Sequence, residues 1–243
     1  MYARNAAAMW ESRGPWSRVV AGLLPEASVI EIPAPPTTRV ILRRPLAADP
    51  GPIGALMAQA DKRGRVVVED SFGTLARPAG DDITVNRMPV MVRPAGSIGA
   101  PPAAPDVRVV QAADPGTLAR AERVIVDGFP QRALQPYRPR RSLPPPVLTT
   151  PGWRTWLAYR GGEPAAACCT YDDGATLGVY WMVTLPEHRS HGLGRTIMAA
   201  ALAADPGLPA ALTATAAGEP LYSSLGFQTV SEAAWFRRPG RTQ

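Results

Sequence analysis

The stretch Tyr180–Thr196, YWMVTLPEHRSHGLGRT, constrains this chain more than any other. The apolar run Ala175–Leu185 reads as a strand, and Leu193–Ala204 reads as a helix with Leu193, Ile197 and Ala201 on one face. Between them lies a short polar loop carrying Arg189-x-x-Gly192-x-Gly194. The first amides of a helix have no intrahelical acceptor, and the helix dipole favours negative charge beside them. Gly192 and Gly194 let the backbone approach a ligand closely. A strand, such a loop and a helix N-terminus together suit one pyrophosphate, although a plain glycine-rich turn has the same pattern. The spacing is neither that of a Walker loop nor that of the dinucleotide fingerprint Gly-x-Gly-x-x-Gly.

Charge and composition narrow the partners. The net charge is +6, and 12 of the 26 basic and 9 of the 20 acidic residues fall in 1–105, so neither half is a basic arm. No nucleic-acid partner is expected from that distribution, while a mild positive excess suits an anionic ligand. Only Lys62 is a lysine, and Ala, Arg, Pro and Gly dominate, a bias that carries no function by itself. Cys168 and Cys169 are adjacent, and neighbours on a strand point to opposite faces, so they read as two small buried thiols. The longest apolar stretch, from Ile197 to Leu212, is broken by Asp205-Pro206-Gly207, which predicts no membrane span. Met1–Gly22 lacks the continuous apolar core of a signal peptide, and a cytoplasmic protein is expected.

Read in order, residues 1–27 hold one helix, Ser28–Ile32 and Thr38–Arg43 two short strands, and Asp49-Pro50 caps a helix over 50–60. Strands follow at Arg65–Glu69 and Ile83–Arg93, and Pro89 marks the second as an edge strand or a bulge. Arg93–Pro105, RPAGSIGAPPAAP, is a linker by composition and divides the chain into domains 1–105 and 106–243. Ala-Ala-Asp-Pro-Gly occurs at 47–51 and again at 112–116, each time before a predicted helix. It marks either an internal repeat, with 1–105 a degenerate half of the second domain, or a chance match in a biased composition. Beyond it, Val107–Gln111 is a strand and a helix runs to about Phe129. Gln131–Pro146 forms an ordered loop or lid. Trp153–Arg160, Pro164–Tyr171 and Ala175–Leu185 make three antiparallel strands. Ala210–Thr215 is a strand, Glu219–Leu225 a short helix, and Phe227–Val230 and Ala234–Arg237 two closing strands.

This order, with two motifs, resembles the GNAT superfamily of acetyl-CoA-dependent N-acetyltransferases. One motif is Leu185-Pro186-Glu187-His188-Arg189-Ser190-His191-Gly192-Leu193-Gly194, similar to that family's cofactor loop. The other is Pro220-Leu221-Tyr222-Ser223-Ser224-Leu225-Gly226-Phe227, similar to its late helix and the turn after it. The resemblance covers about 106–237. It implies an α/β (α+β) fold with a mixed, mostly antiparallel central sheet flanked by helices. It also implies acetyl transfer from acetyl-CoA (coenzyme A) to a primary amine of a small molecule or peptide. The backbone of Met182, Val183 and Thr184 would pair with the pantetheine arm. The loop Arg189, Ser190, His191, Gly192, Leu193 and Gly194, with Arg195 and Thr196, would hold the pyrophosphate. Tyr222 would protonate the departing thiolate, and a phenol, neutral at pH 7, is able to do so.

The departures are as specific as the matches. Where the family often has an asparagine, this chain reads Thr215-Ala216-Ala217-Gly218. No side chain stands out as general base: Glu187, His188 and His191 lie in the cofactor loop, and Asp172 and Asp173 read as turn formers. Water relayed from a backbone carbonyl would serve without one. His188 and His191 have no further ligands near them in sequence, so no metal is expected. Trp153, Trp156, Tyr180 and Trp181 either line an acceptor pocket or fill the core. The alternative function is a non-catalytic acyl-CoA-binding module with 1–105 as its interaction surface. In either case a monomer or homodimer is expected.

Overall fold

The computed structural model describes residues 1–13, 16–20, 24–33, 35–46, 51–58, 64–99, 106–129 and 134–240. The chain forms two compact units that interleave in sequence. The first comprises Met1–Met91, Thr213–Glu219 and Gln228–Gln243, and the second Val92–Leu212 and Pro220–Phe227.

The first unit begins with α1 (Tyr2–Glu11) and then β1 (Arg18–Val19), β2 (Ala27–Pro33) and β3 (Pro36–Leu42). β1 pairs antiparallel with β2, and β2 with β3 from Ala27↔Leu42 to Pro33↔Pro36. α2 (Gly51–Ala58) then carries the chain to β4 (Arg65–Asp70), which runs parallel to β3 from Thr37↔Arg65 to Ile41↔Glu69. A parallel pair needs such a crossover. The strand order continues through β11 (Gln228–Arg238) to β5 (Thr84–Arg93), most of which belongs to this unit. Alternation gives the sheet two different faces. On one, Val29, Val40, Leu42, Val66, Val68 and Phe236 bury themselves against Ile53, Leu56 and Met57 of α2. The other carries Arg39, over which the Trp10 ring of α1 lies. The predicted Asp49 cap lies outside the described residues.

The end of the chain departs from the sequence reading. The two short closing strands are a single strand, β11, and it joins the first unit by pairing antiparallel with β4, from Ala234↔Asp70 to Arg238↔Val66. The polar Ser231-Glu232 step that reads as a break is carried inside the strand by side-chain partners. The Ser231 hydroxyl donates to Ser71 O at 3.0 Å, and Glu232 pairs with Arg87 at 2.8 Å.

In the second unit β6 (Val107–Gln111), β7 (Trp153–Arg160), β8 (Glu163–Asp172) and β9 (Leu177–Thr184) form an antiparallel succession. β10 (Ala210–Thr213) then lies parallel to β9. α3 (Pro115–Gly128) starts as its sequence predicts. Asp114 Oδ1 accepts from the amides of Gly116 and Thr117 at 2.8 and 2.9 Å, and Pro115 occupies the first turn, where its missing N–H costs nothing. α4 (Leu193–Ala203) buries Leu193, Ile197 and Ala201 against Trp156, Ala166 and Cys168. α5 (Glu219–Ser224) follows β10. The loop after α3 is held by Glu122, which is fully buried on that helix. Its carboxylate accepts from the amides of Arg140, Ser142 and Leu143 at 2.6 to 3.0 Å. Arg93 fastens the start of the predicted linker, donating to Leu225 O, Pro94 O, Gly96 O and Ser97 O. Neither cysteine is in a disulfide and both are buried, Cys168 against α4 and Cys169 beside the Thr155 hydroxyl, on opposite faces of β8.

Candidate active site

β9 is irregular where the motif begins. Tyr180 faces Cys169 and Val183 faces Ala167, so Trp181 and Met182 together oppose Cys168. That is a β-bulge, and Trp181 takes φ +51°, a left-handed value that a bulky side chain rarely adopts. On the other edge, the pairing with β10 covers Leu177 and Gly178. β9 runs on to Thr184, and Met182, Val183 and Thr184 thus lie beyond that pairing.

The chain then turns through Pro186–His188 into the glycine loop. Arg189 folds back, its Nε donating to Thr184 O at 3.2 Å, and His191 Nδ1 lies 2.6 Å from Arg189 O. Ser190 at φ +62° and Gly192 at φ +76° turn the backbone inward to the first turn of α4. Gly192 caps that helix without a side-chain acceptor. The first helical bond runs from Thr196 N to Gly192 O at 3.0 Å, and the Thr196 hydroxyl donates to the same oxygen at 3.2 Å. Leu193, Gly194 and Arg195 therefore present amides with no intrahelical acceptor.

Gly194 is where the parts of the site meet. A Cβ there would stand 2.9 Å from Leu221 Cδ2 of α5 and 3.5 Å from Met182 Cε of β9. Arg195 Nη2 donates to Ser224 Oγ at 2.7 Å, a second tie between α4 and α5. Tyr222 is thereby fixed beside the loop and the bulge, buried, with Phe227 edge-on at 5.9 Å between ring centroids. Burial, and then the Cys168 sulfur, push its pKa well above the ordinary phenol value. Its hydroxyl makes no hydrogen bond among the described residues.

The predicted residues thus fall into one place with different means of contact. Leu193 is buried in the core and offers only its amide. Arg189, Ser190, His191 and Gly192 are exposed, and so is Arg195. His188 Nδ1 is buried without a hydrogen-bond partner among the described residues. Asp172 and Asp173 hold the β8–β9 turn by accepting from the amides of Gly174, Ala175 and Thr176. Of the aromatics, Trp153, Tyr180 and Trp181 cluster with Tyr171, at centroid distances of 6.0 to 6.5 Å. Trp156 belongs to the α4-facing core and donates to the Thr170 hydroxyl at 3.1 Å. Sequence reasoning missed Leu221 and Ser224, the residues that seat α5, and gave no sign of the positive φ at Trp181.

The cradle fits a pyrophosphate. It offers consecutive helix-terminal amides and two flanking guanidiniums, and the absent Cβ of Gly194 lets α5 and the end of β9 pack close against the first turn of α4.

Comparison with known proteins agrees with this geometry. Residues 151–229 match the acetyltransferase (GNAT) domain family. Among curated proteins none matches the chain. Many solved structures share its fold, among them the following three. A GCN5-related N-acetyltransferase from Kribbella flavida is 20% identical, with 99% of this chain and 96% of that one covered at a TM-score of 0.66. Another from Sphaerobacter thermophilus is 15% identical, with 99% and 93% covered at 0.58. A tandem GNAT protein from the clavulanic acid biosynthesis pathway is 15% identical, with 94% and 85% covered at 0.57.

Proposed function

We propose that the second unit moves the acetyl group of acetyl-CoA directly to a primary amine of a small molecule or peptide. The observation that carries this reading is the convergence at Gly194 of the α4 amides, the end of β9 and the helix bearing Tyr222. Bound there, acetyl-CoA supplies an activated acetyl thioester. The amides of the loop and of Leu193, Gly194 and Arg195, with Arg189 and Arg195, hold its pyrophosphate. The free edge of Met182, Val183 and Thr184 takes the pantetheine arm as an added strand. Amides at the β9 bulge stabilise the negative charge that develops on the acetyl oxygen. Tyr222 keeps its proton at neutral pH and delivers it to the departing sulfur. No carboxylate or imidazole is needed near the amine if a water held by a backbone carbonyl passes the amine's proton out to solvent. A cytoplasmic setting suits two reduced thiols.

The first unit reads as a degenerate half of the same architecture. Its succession β1–β2–β3–α2–β4 repeats β7–β8–β9–α4–β10: three antiparallel strands, a helix and a parallel strand. Similarity to the tandem GNAT protein along 94% of this chain supports that reading.

The test follows free thiol release from acetyl-CoA with a panel of primary amines, for the wild type and for Tyr222→Phe. We expect the variant to lose about 100-fold or more in kcat, the ordinary range for a positioned proton donor, with the Kd of CoA unchanged. In the wild type, no fall in kcat attributable to Tyr222 is expected as pH rises towards 10, because its pKa is raised. Undiminished kcat in the variant would remove Tyr222 from the mechanism. Binding of acetyl-CoA without transfer to any amine would leave a non-catalytic acyl-CoA sensor.

A further inference from the structure

The α1 face of the first unit gathers four guanidiniums around two indoles. Register places Arg39 of β3 across from Val67 of β4, and Val67 across from Arg237 of β11. Arg65 shares that face two residues before Val67. The Trp10 ring carries Arg39 Cζ at 4.2 Å and Arg13 Cζ at 4.7 Å from its centroid. The Trp235 ring carries Arg237 Cζ at 5.3 Å and Arg39 Cζ at 6.0 Å. Against these four stands Glu69, paired with Arg39. Burial first, then Arg65 and Arg237, push the pKa of Arg39 down, as expected where cations crowd a poorly hydrated place.

Three buried donors here have no hydrogen-bond partner among the described residues: Nε of Arg39, Nε of Arg65 and Nε1 of Trp235. They sit on β3, β4 and β11, three strands adjacent in the sheet. Buried polar groups are ordinarily paired, and three unmatched donors beside an excess of positive charge call for an acceptor that carries negative charge. Arg65 and Arg237 are only partly buried, which leaves the cluster open to a ligand. Nothing in the acetyl-transfer reading uses these residues.

We propose that Arg39, Arg65, Arg237 and Trp235, with Arg13 beside them, form a binding site for a phosphate group, free or carried on a small molecule. Guanidinium forks match phosphate oxygens two at a time. A phosphate monoester carries a charge of about −1.5 to −2 at pH 7 and offsets the two cations in excess among Arg39, Arg65 and Arg237 better than a single carboxylate does.

The experiment compares melting temperatures at pH 7.5 and matched ionic strength in chloride, inorganic phosphate and glycerol phosphate. It uses the wild type, an Arg65→Gln/Arg237→Gln double variant and Arg189→Gln. Phosphate salts stabilise most proteins generally, so the readout is the difference between variants. The wild type should gain several degrees in phosphate, saturating with concentration, and Arg189→Gln should keep that gain. The double variant should lose most of it, yet melt no lower than the wild type in chloride, because its cations no longer repel. Should the double variant not fold, Arg237→Gln alone is expected to show the same pattern at about half size. A greater gain with glycerol phosphate than with inorganic phosphate would assign the group to an organic ligand, and equal gains would assign it to the free ion. A double variant that keeps the full gain, or that loses the same number of degrees in every salt, would overturn the proposal.

Discussion

The two crossovers, β3 to β4 through α2 and β9 to β10 through α4, share a topology and differ in what they expose. β3 pairs with β4 over five residues, nearly its whole length, whereas β9 pairs with β10 over two and leaves its far end beyond that contact. After β3, Arg43 donates to Pro25 O and Arg44 pairs with Glu26. After β9, Arg189 and Arg195 flank a helix terminus instead. α4 begins with Leu193-Gly194-Arg195, all amide donors, while α2 begins Gly51-Pro52, and a prolyl nitrogen has no hydrogen to give. Topology alone therefore does not make an anion cradle. In the function proposed above, the parted strand and the loop residues do.

This contrast can be broken by mutation. The largest effect is expected from Gly192→Val. The position has open space but a φ of +76°, so a β-branched residue would force the loop out of shape and weaken CoA binding about tenfold or more. Isothermal titration with CoA measures this, and unchanged affinity would show that the loop conformation does not matter to binding. A smaller effect is expected from Gly194→Ala. Its added methyl must displace Leu221 Cδ2 from 2.9 Å, a flexible side-chain end, so CoA affinity should fall only a few-fold. Gly54→Ala in α2 should act with the opposite sign. Nothing lies within 4 Å of its Cβ, and a helical glycine costs about 0.5–1 kcal/mol relative to alanine, so the protein should gain about that much stability. Denaturant titration reads this gain, and CoA binding should not change.

The glycine loop and the late helix were legible because their signals are local: a spacing of glycines, and a tyrosine before a Leu-Gly-Phe turn. The same locality makes the α3 cap readable, since Asp114 and the amides it accepts are three residues apart. What stayed hidden is set by pairing between distant residues. β11 joins β4 across more than 150 positions of sequence, and nothing in Gln228–Arg238 names its partner. The arginine cluster arises only when three strands fix their register, so single charged positions in separate strands read as ordinary surface. The Ala-Ala-Asp-Pro-Gly match shows the converse hazard. Its copy at 112–116 precedes α3, and its copy at 47–51 leads into α2, whose topological counterpart is α4. The pentapeptides are out of phase with the structural succession they were read to mark, although that succession does recur.

The most direct test of the account is the melting temperature with and without acetyl-CoA, with free CoA and ATP as controls. A ligand at a hundred times its Kd adds about 2.7 kcal/mol, which a domain of this size shows as several degrees. Stabilisation by acetyl-CoA and CoA but not by ATP is the predicted result. No shift with acetyl-CoA or CoA would mean that the loop at Gly192–Gly194 is only a turn, and the acetyltransferase reading would fall with it.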